Sequence, residues 1–155
     1  MANDIGVNSK GDLWVIGNTK EGGGYSIHNY RNKSQTWEKI GGSAVRIAVS
    51  PNGPWVVNKY GNIYVLDMRT KQWTAIAGCA KDIGAGADGS IWVIGCGKVG
   101  GGYTIHTLLP NSKWRLISGG ATDIAVDRNG SPFVSNDGGF TYWDTKIKLT
   151  PPKPK

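Results

Sequence analysis

The sequence has no apolar run approaching the roughly 20 residues that a membrane-spanning helix needs, and no segment in which apolar residues return with the 3.6-residue period of a helix. The first absence argues against membrane insertion and the second excludes a helical solenoid. Histidine and cysteine are scarce, at two residues each. With so few, there is no metal-ligand spacing, no nucleophile–base pair and no cofactor fingerprint, so no catalytic residue, metal or cofactor is expected and the chain reads as a binder rather than an enzyme. Met1 to Gly11 lacks the basic start and apolar stretch of a secretory signal.

Acid is also missing from one place. Residues 145–155 hold Lys146, Lys148, Lys153 and Lys155 and no carboxylate; setting these four aside leaves 14 bases against 11 acids, a body charge of +3 out of the total +7. So modest a charge gives no electrostatic footprint for a nucleic acid. The tail, rich in Pro and Lys, reads as a basic extension or linker stub.

What is abundant is glycine, 24 of 155 residues, with 7 tryptophans and no collagen triplet. Such a composition belongs to a folded chain with many turns. Shifted by 78 residues the sequence matches itself: Asp4-Ile5-Gly6 falls on Asp82-Ile83-Gly84, Trp14 on Trp92, and the Gly22–His28 segment on Gly100–His106. A shorter period lies inside, since Trp37, Trp73 and Trp114 each open a W-x-x-I unit, 36 and 41 residues apart. Periods of this size indicate propellers, solenoids or arrays.

Each unit reads as four short strands. In the most complete one these are Trp73–Ile76, Asp82–Ala87, Ile91–Ile94 and Tyr103–Thr107. The second and third are joined by Asp88-Gly89, with Lys10-Gly11, Asn52-Gly53 and Asn129-Gly130 at the equivalent joints. Such pairs signal hairpins in which both residues take positive φ. Gly6, Ala48, Gly84 and Ala125 are small where innermost strands crowd an axis, and the strands that follow are apolar on both faces, as in sheets sandwiched between neighbours. The reading is an all-β propeller of four blades, one domain over residues 1–144 with repeats at about 2–40, 41–76, 77–117 and 118–144.

The pattern W-x-x-I-x-G, a small residue, then I-x-V and G-x-W-V-x-N, running from Trp37 to Asn58, resembles the tectonin repeat, and the resemblance extends from residue 2 to about 144. Tectonin-type propellers commonly act as lectins for bacterial lipopolysaccharide or other glycans in innate defence, and some are intracellular adaptors. The resemblance therefore implies a carbohydrate-binding protein of microbial or cell surfaces, secreted in preference to cytoplasmic, with a protein-interaction scaffold or a repeat unit of a larger propeller as the alternative. Tectonin lectins usually have five or six repeats. Four here imply either a closed four-bladed ring, its last outer strand supplied by residues 146–149 or by the N-terminus, or half of a homodimer.

Candidate ligand-binding residues follow from repeat position. Asn58 and Asn136 end equivalent strands, with Asn18 one residue past the matching glycine in a longer blade; an amide both gives and accepts hydrogen bonds with hydroxyls. Tyr25 and Tyr103 follow the glycine-rich loops of the first and third blades and offer rings for the C–H face of a sugar. His28 and His106 occupy one repeat position on outer strands, where a structural or surface role competes with binding. The glycine loops lack the helix N-terminus of a phosphate cradle. Asp4, Asp82 and Asp123 each precede an Ile that opens an inner strand, suited to holding neighbouring backbone N–H groups or a cation; Arg46 at the fourth such position breaks an acidic ring. The hairpin at Asp88-Gly89 brings Cys79 and Cys96 to the same end, where they either form a disulfide or serve as small core residues. Trp37, Trp73 and Trp114 recur with the regularity of packing residues.

Overall fold

A computed structural model describes residues 1–138 and 141–143; residues 145–155, including the segment 146–149, lie outside it. The chain forms four antiparallel meanders in sequence order. The first sheet comprises β1 (Asp4–Val7), β2 (Leu13–Glu21), β3 (Gly24–Arg31) and β4 (Thr36–Ala44). The second comprises β5 (Arg46–Ser50), β6 (Gly53–Val57), β7 (Ile63–Leu66) and β8 (Trp73–Ile76), and the third β9 (Ala80–Ala85), β10 (Ile91–Val99), β11 (Gly102–Leu108) and β12 (Trp114–Ala121). The fourth has three described strands, β13 (Asp123–Val126), β14 (Pro132–Ser135) and β15 (Thr141–Trp143).

The hairpins stand where the sequence put them, with different turn chemistry. Gly11, Gly53, Gly89 and Gly130 have positive φ, but their partners Lys10, Asn52, Asp88 and Asn129 do not. Side-chain caps do the work that mirror-image turns would have done. Asn8 Oδ1 accepts the amides of Lys10 and Asp12, Asp88 Oδ1 that of Ser90, and Asp127 Oδ1 those of Asn129 and Ser131. Such short polar side chains favour turns because they imitate a backbone acceptor.

Successive sheets bury one apolar layer between each pair. Trp14, Ile16 and Ile27 of the first sheet meet Ile47, Val49, Val56 and Leu66 of the second. Val57 and Ile63 meet Ile83, Ile91 and Val93 across the next joint, and Trp92, Ile94 and Ile105 meet Ile124 and Val134 across the third. The small inner residues are required by this closeness: a Cβ at Gly6 would lie 2.9 Å from Val49 Cγ2, and one at Gly84 2.7 Å from Val126 Cγ2. Inner strands β1, β5, β9 and β13 pack side by side in that order. All four line one central cavity of about 500 Å³.

Two of the repeated tryptophans lock the sheets together. Trp73 Nε1 donates to Gly41 O and Trp114 Nε1 to Ala77 O, each at 2.6 Å, with the indoles lying on Gly42 and Gly78 of the preceding sheet. Trp37, in the first sheet, is 48% exposed and packs on Tyr30.

Cys79 and Cys96 are joined in a disulfide, 17 residues apart in sequence with Cα atoms separated by 5.6 Å. It ties the segment crossing from the second sheet to the third onto β10. Closing a loop of that length restricts the unfolded chain by about 3 kcal/mol. The double variant Cys79→Ala/Cys96→Ala, or the wild type under reductant, is therefore expected to melt roughly 10 °C lower in calorimetry. An unchanged Tm would show that the bond adds nothing to folding.

Candidate functional site: the grooves between sheets

Where two sheets diverge at the end bearing the glycine loops, a groove opens between them. The first, of about 220 Å³, lies between the first and second sheets. Ile27 and Val56 give it an apolar floor, Tyr64 and Trp73 supply aromatic walls, and Gly23, Gly42, Ser43 and Asn58 line the rest. Its shape has local causes. Gly42 has a φ of 99°, and a Cβ there would stand 2.9 Å from Trp73 Nε1, so glycine is what lets the indole lie flat on the strand. Gly23 N donates to Ser43 Oγ at 2.7 Å, and Lys59 N donates to Gly23 O at 2.8 Å, which ties the first glycine loop to the second sheet.

Asn58 is nearly buried, and its Oδ1 accepts the amides of Tyr60 and Asn62, both at 3.0 Å. Its Nδ2 has no partner among the described residues, so the side chain caps the turn through its oxygen alone.

The same groove recurs one joint later. Ile63, Gly78, Cys79, Val93, His106 and Trp114 line it, standing at the repeat positions of Ile27, Gly42, Ser43, Val56, Tyr64 and Trp73. There it has shrunk to about 70 Å³. Between the third and fourth sheets the loop contact is repeated, with Asp137 N donating to Gly101 O at 3.1 Å and Asn136 beside Gly101. Gly119 there, at the position of Gly42, meets only Ile105 Cδ1 at 3.8 Å, and no indole covers it among the described residues.

The structure thus brings Asn58 into the first groove and Asn136 to the equivalent place beside Gly101 at the third joint. Of the remaining candidates His106 lines the second groove, and the others are scattered. Asn18 is exposed on β2, where the pairing with β3 shifts register. Tyr25 and Tyr103 pack against the first and third cores, the latter under the Lys81 ammonium at 4.6 Å. His28 Nε2 lies 3.0 Å from Ser26 Oγ, and His106 Nε2 lies 3.1 Å from Thr104 Oγ1, with burial lowering the His106 pKa. Tyr64, Trp73 and Ser43 of the groove were not singled out as ligand residues by sequence. A usable signal existed: Tyr64 pairs with Val56 as His28 does with Val15 and His106 with Val93, so it holds the repeat position that drew attention to the histidines.

The three aspartates line the central cavity; Asp4 and Asp82 hold backbone, while Asp123 Oδ2 accepts the Ser135 hydroxyl at 3.0 Å. Asp4 Oδ2 accepts Ile47 N at 2.7 Å, and Asp82 Oδ2 accepts Ile124 N at 2.8 Å, each reaching across to the next inner strand. Arg46 Nε stands 3.5 Å from Asp82 Oδ1. No group of three or more His, Cys, Asp or Glu able to hold a metal occurs among the described residues. Burial pushes the Asp82 carboxyl up to about 6, against the pull of the Ile124 and Ile83 amides and of Arg46.

Comparison with known proteins gives one family. The tectonin domain model matches residues 3–103. No curated protein matches the chain. Among solved structures, YCF48 bound to D1 peptide is similar in fold, with a TM-score of 0.57 at 17% identity over 93% of this chain and 50% of that one. TolB from Acinetobacter baumannii aligns with a TM-score of 0.64 at 12% identity over 90% of this chain and 39% of that one. The extracellular domain of a putative hybrid two-component system from B. thetaiotaomicron does so with a TM-score of 0.57 at 16% identity, over 94% and 22%. The chain spans half or less of the length of each.

The Asp82 shift fixes a pH dependence. A carboxyl whose folded pKa lies above its usual 3.8 contributes stability that is fully present below pH 3.8 and is lost as pH rises through about 6. Asp82→Asn retains an oxygen for Ile124 N and does not titrate. The unfolding free energy of the wild type relative to Asp82→Asn is expected to fall by about 2 to 3 kcal/mol between pH 4 and 7 in denaturant titrations. A constant difference would mean that Asp82 titrates normally.

Proposed function

We propose, from the premise that the chain belongs to the tectonin-domain family, that it is a carbohydrate-binding protein that takes glycans or lipopolysaccharide sugars into the grooves between successive sheets. The observation that carries this reading is the first groove, where the rings of Tyr64 and Trp73, the Ser43 hydroxyl and the Asn58 amide surround one space of about 220 Å³. Rings cover the apolar C–H face of a pyranose, while hydroxyl and amide meet its hydroxyls. The proposed role is that of a binder rather than an enzyme. Repetition of the groove along the chain favours several weak sites acting together on a microbial or cell surface. The Cys79–Cys96 disulfide supports an oxidising, extracellular location. Closure of the four sheets into a ring is part of the same reading, since a propeller face presents its loops on one side.

A second reading, a protein-interaction scaffold, draws on the fold likeness to a YCF48 structure that holds a peptide. One experiment separates the two. The purified chain, with residues 145–155 removed to exclude charge attraction, is applied to an array of glycans that includes bacterial lipopolysaccharides. Selective binding that survives physiological salt is expected. Asn58→Asp keeps the oxygen that caps the turn and removes the Nδ2 donor; it should weaken that binding about tenfold, the loss of one hydrogen bond, with the fold unchanged. A blank array with folded protein would reject the lectin reading in favour of the scaffold.

A further inference from the structure

We propose, building on the carbohydrate reading of the first groove, that a basic hollow beside it is an anion subsite, in which Lys59 and Lys81 take the carboxylate or phosphate of an acidic glycan. The hollow measures about 300 Å³ and lies at the loop end of the joint between the second and third sheets. It exists because the second sheet turns early. β2 and β10 run on to Glu21 and Val99 before their glycine loops, whereas β6 ends at Val57 and the chain turns at once through residues 58–61.

The walls are fixed by the protein itself. Lys59 N donates to Gly23 O at 2.8 Å, Gly61 N to Asn58 O at 2.9 Å and Ala80 N to Gly61 O at 2.9 Å, so the turn is tied to the first sheet, to itself and to the third. The Cys79–Cys96 disulfide lies against Gly61, where a Cβ would stand 2.7 Å from Cys79 Sγ and 3.3 Å from Cys96 Sγ. A frame set in advance lowers the ordering that binding costs.

The lining carries charge of one sign. Lys59 reaches it from the turn and Lys81 from β9, and no carboxylate lines it. Asp82, next to Lys81, lines the central cavity beside Arg46 instead, because successive strand side chains point to opposite faces. Neither lysine has an ion pair among the described residues. Each ammonium lies over a ring, Lys59 Nζ 5.0 Å from the Tyr60 centroid and Lys81 Nζ 4.6 Å from that of Tyr103. Such a contact holds an ammonium without neutralising it and leaves N–H donors for an oxyanion. Tyr60, 66% exposed, also lines the hollow and offers a ring for the C–H face of a sugar. Asn58 lines both the hollow and the first groove, which places a sugar in the groove next to a charged neighbour in the hollow. At the repeat positions of Lys59 and Lys81 the fourth sheet has Asp137 and Thr122, so the charge belongs to this joint rather than to the repeat.

The test is an array on which each uronate-bearing or phosphorylated glycan stands beside its carboxyl-reduced or dephosphorylated copy, probed with the full chain. The wild type is expected to bind the acidic member about tenfold more tightly, roughly threefold from each exposed ion pair, with a preference that falls as salt rises. The kind of pair that shows the preference tells carboxylate from phosphate. Lys59→Gln/Lys81→Gln should bring the two members within about twofold of each other and leave binding of the neutral copy unchanged. Both side chains are exposed and the Lys59 amide is retained, so circular dichroism should match the wild type. Lys10→Gln/Lys113→Gln removes the same charge from hairpins at the opposite end of the sheets and should keep the preference. Equal binding of both members by the wild type overturns the subsite and leaves the groove standing. So does a preference that survives Lys59→Gln/Lys81→Gln, or one that Lys10→Gln/Lys113→Gln also abolishes. A blank array with folded protein rejects groove and subsite together.

Discussion

Every sheet in this protein is apolar on both faces, and that single constraint organises the rest. A sheet with one wet face can stand alone over a core, but one with Ile47 and Val49 on one side and Ala48 and Val57 on the other must be flanked twice. The chain answers by laying sheets in succession and pinning them at the axis, at the periphery or at both: among the described residues the first joint has both pins, the second the indole alone and the third the carboxylate alone. Near the axis a carboxylate crosses to the next inner strand; at the periphery an indole crosses back to a carbonyl of the preceding outer strand. Between these two polar pins lies one apolar layer, and the spacing they set decides where the sheets touch and where they part.

The grooves are a by-product of that arrangement. Residues at a few repeat positions between successive sheets find themselves facing a recess rather than a core. The first and second grooves show how little sequence separates a site from a seam. Ser43, Tyr64 and Asn58 leave the first open, with polar groups at the edge of an apolar recess. At the position of Ser43 the next repeat has Cys79, bonded to Cys96 one residue past the position of Asn58, and His106 replaces Tyr64 over a space a third as large. The same scaffold thus carries a recess in one joint and a covalent fastening in the next.

Most of the fold was legible because its causes are local. The 78-residue duplication, the glycine-bearing hairpins, the small inner residues and the cysteine pair all lie in short windows, and each stands where its spacing put it. The turn type was misread at Lys10, Asn52, Asp88 and Asn129, because capping by Asn8, Ser50, Asp88 and Asp127 side chains satisfies the hairpins without a second positive φ. The site was less legible. Asn58 and Asn136 were visible as repeated strand ends, but the groove is made by residues from two sheets, and Ser43, Tyr64 and Trp73 are neighbours only after the sheets pack. Trp73 was legible as a packing residue; that one face of a packing residue also walls a recess is a property of the joint.

Arg46 shows how the repeat tolerates a change in its own rule. The inner-strand heads converge on one cavity, and a fourth carboxylate there would add to the burial and the Asp4 repulsion that already raise the Asp82 pKa. A guanidinium relieves that crowding and approaches Asp82 at 3.5 Å. The substitution has a cost, because Arg46 is only a donor and cannot accept the Ile83 amide as Asp4 accepts that of Ile47. The joint between the second and third sheets therefore lacks the axial pin found in its neighbours. It is also the joint whose crossing segment is bolted by Cys79–Cys96. Electrostatic relief at the axis and covalent reinforcement at the loop end fall in the same place, as expected if the second offsets what the first gives up.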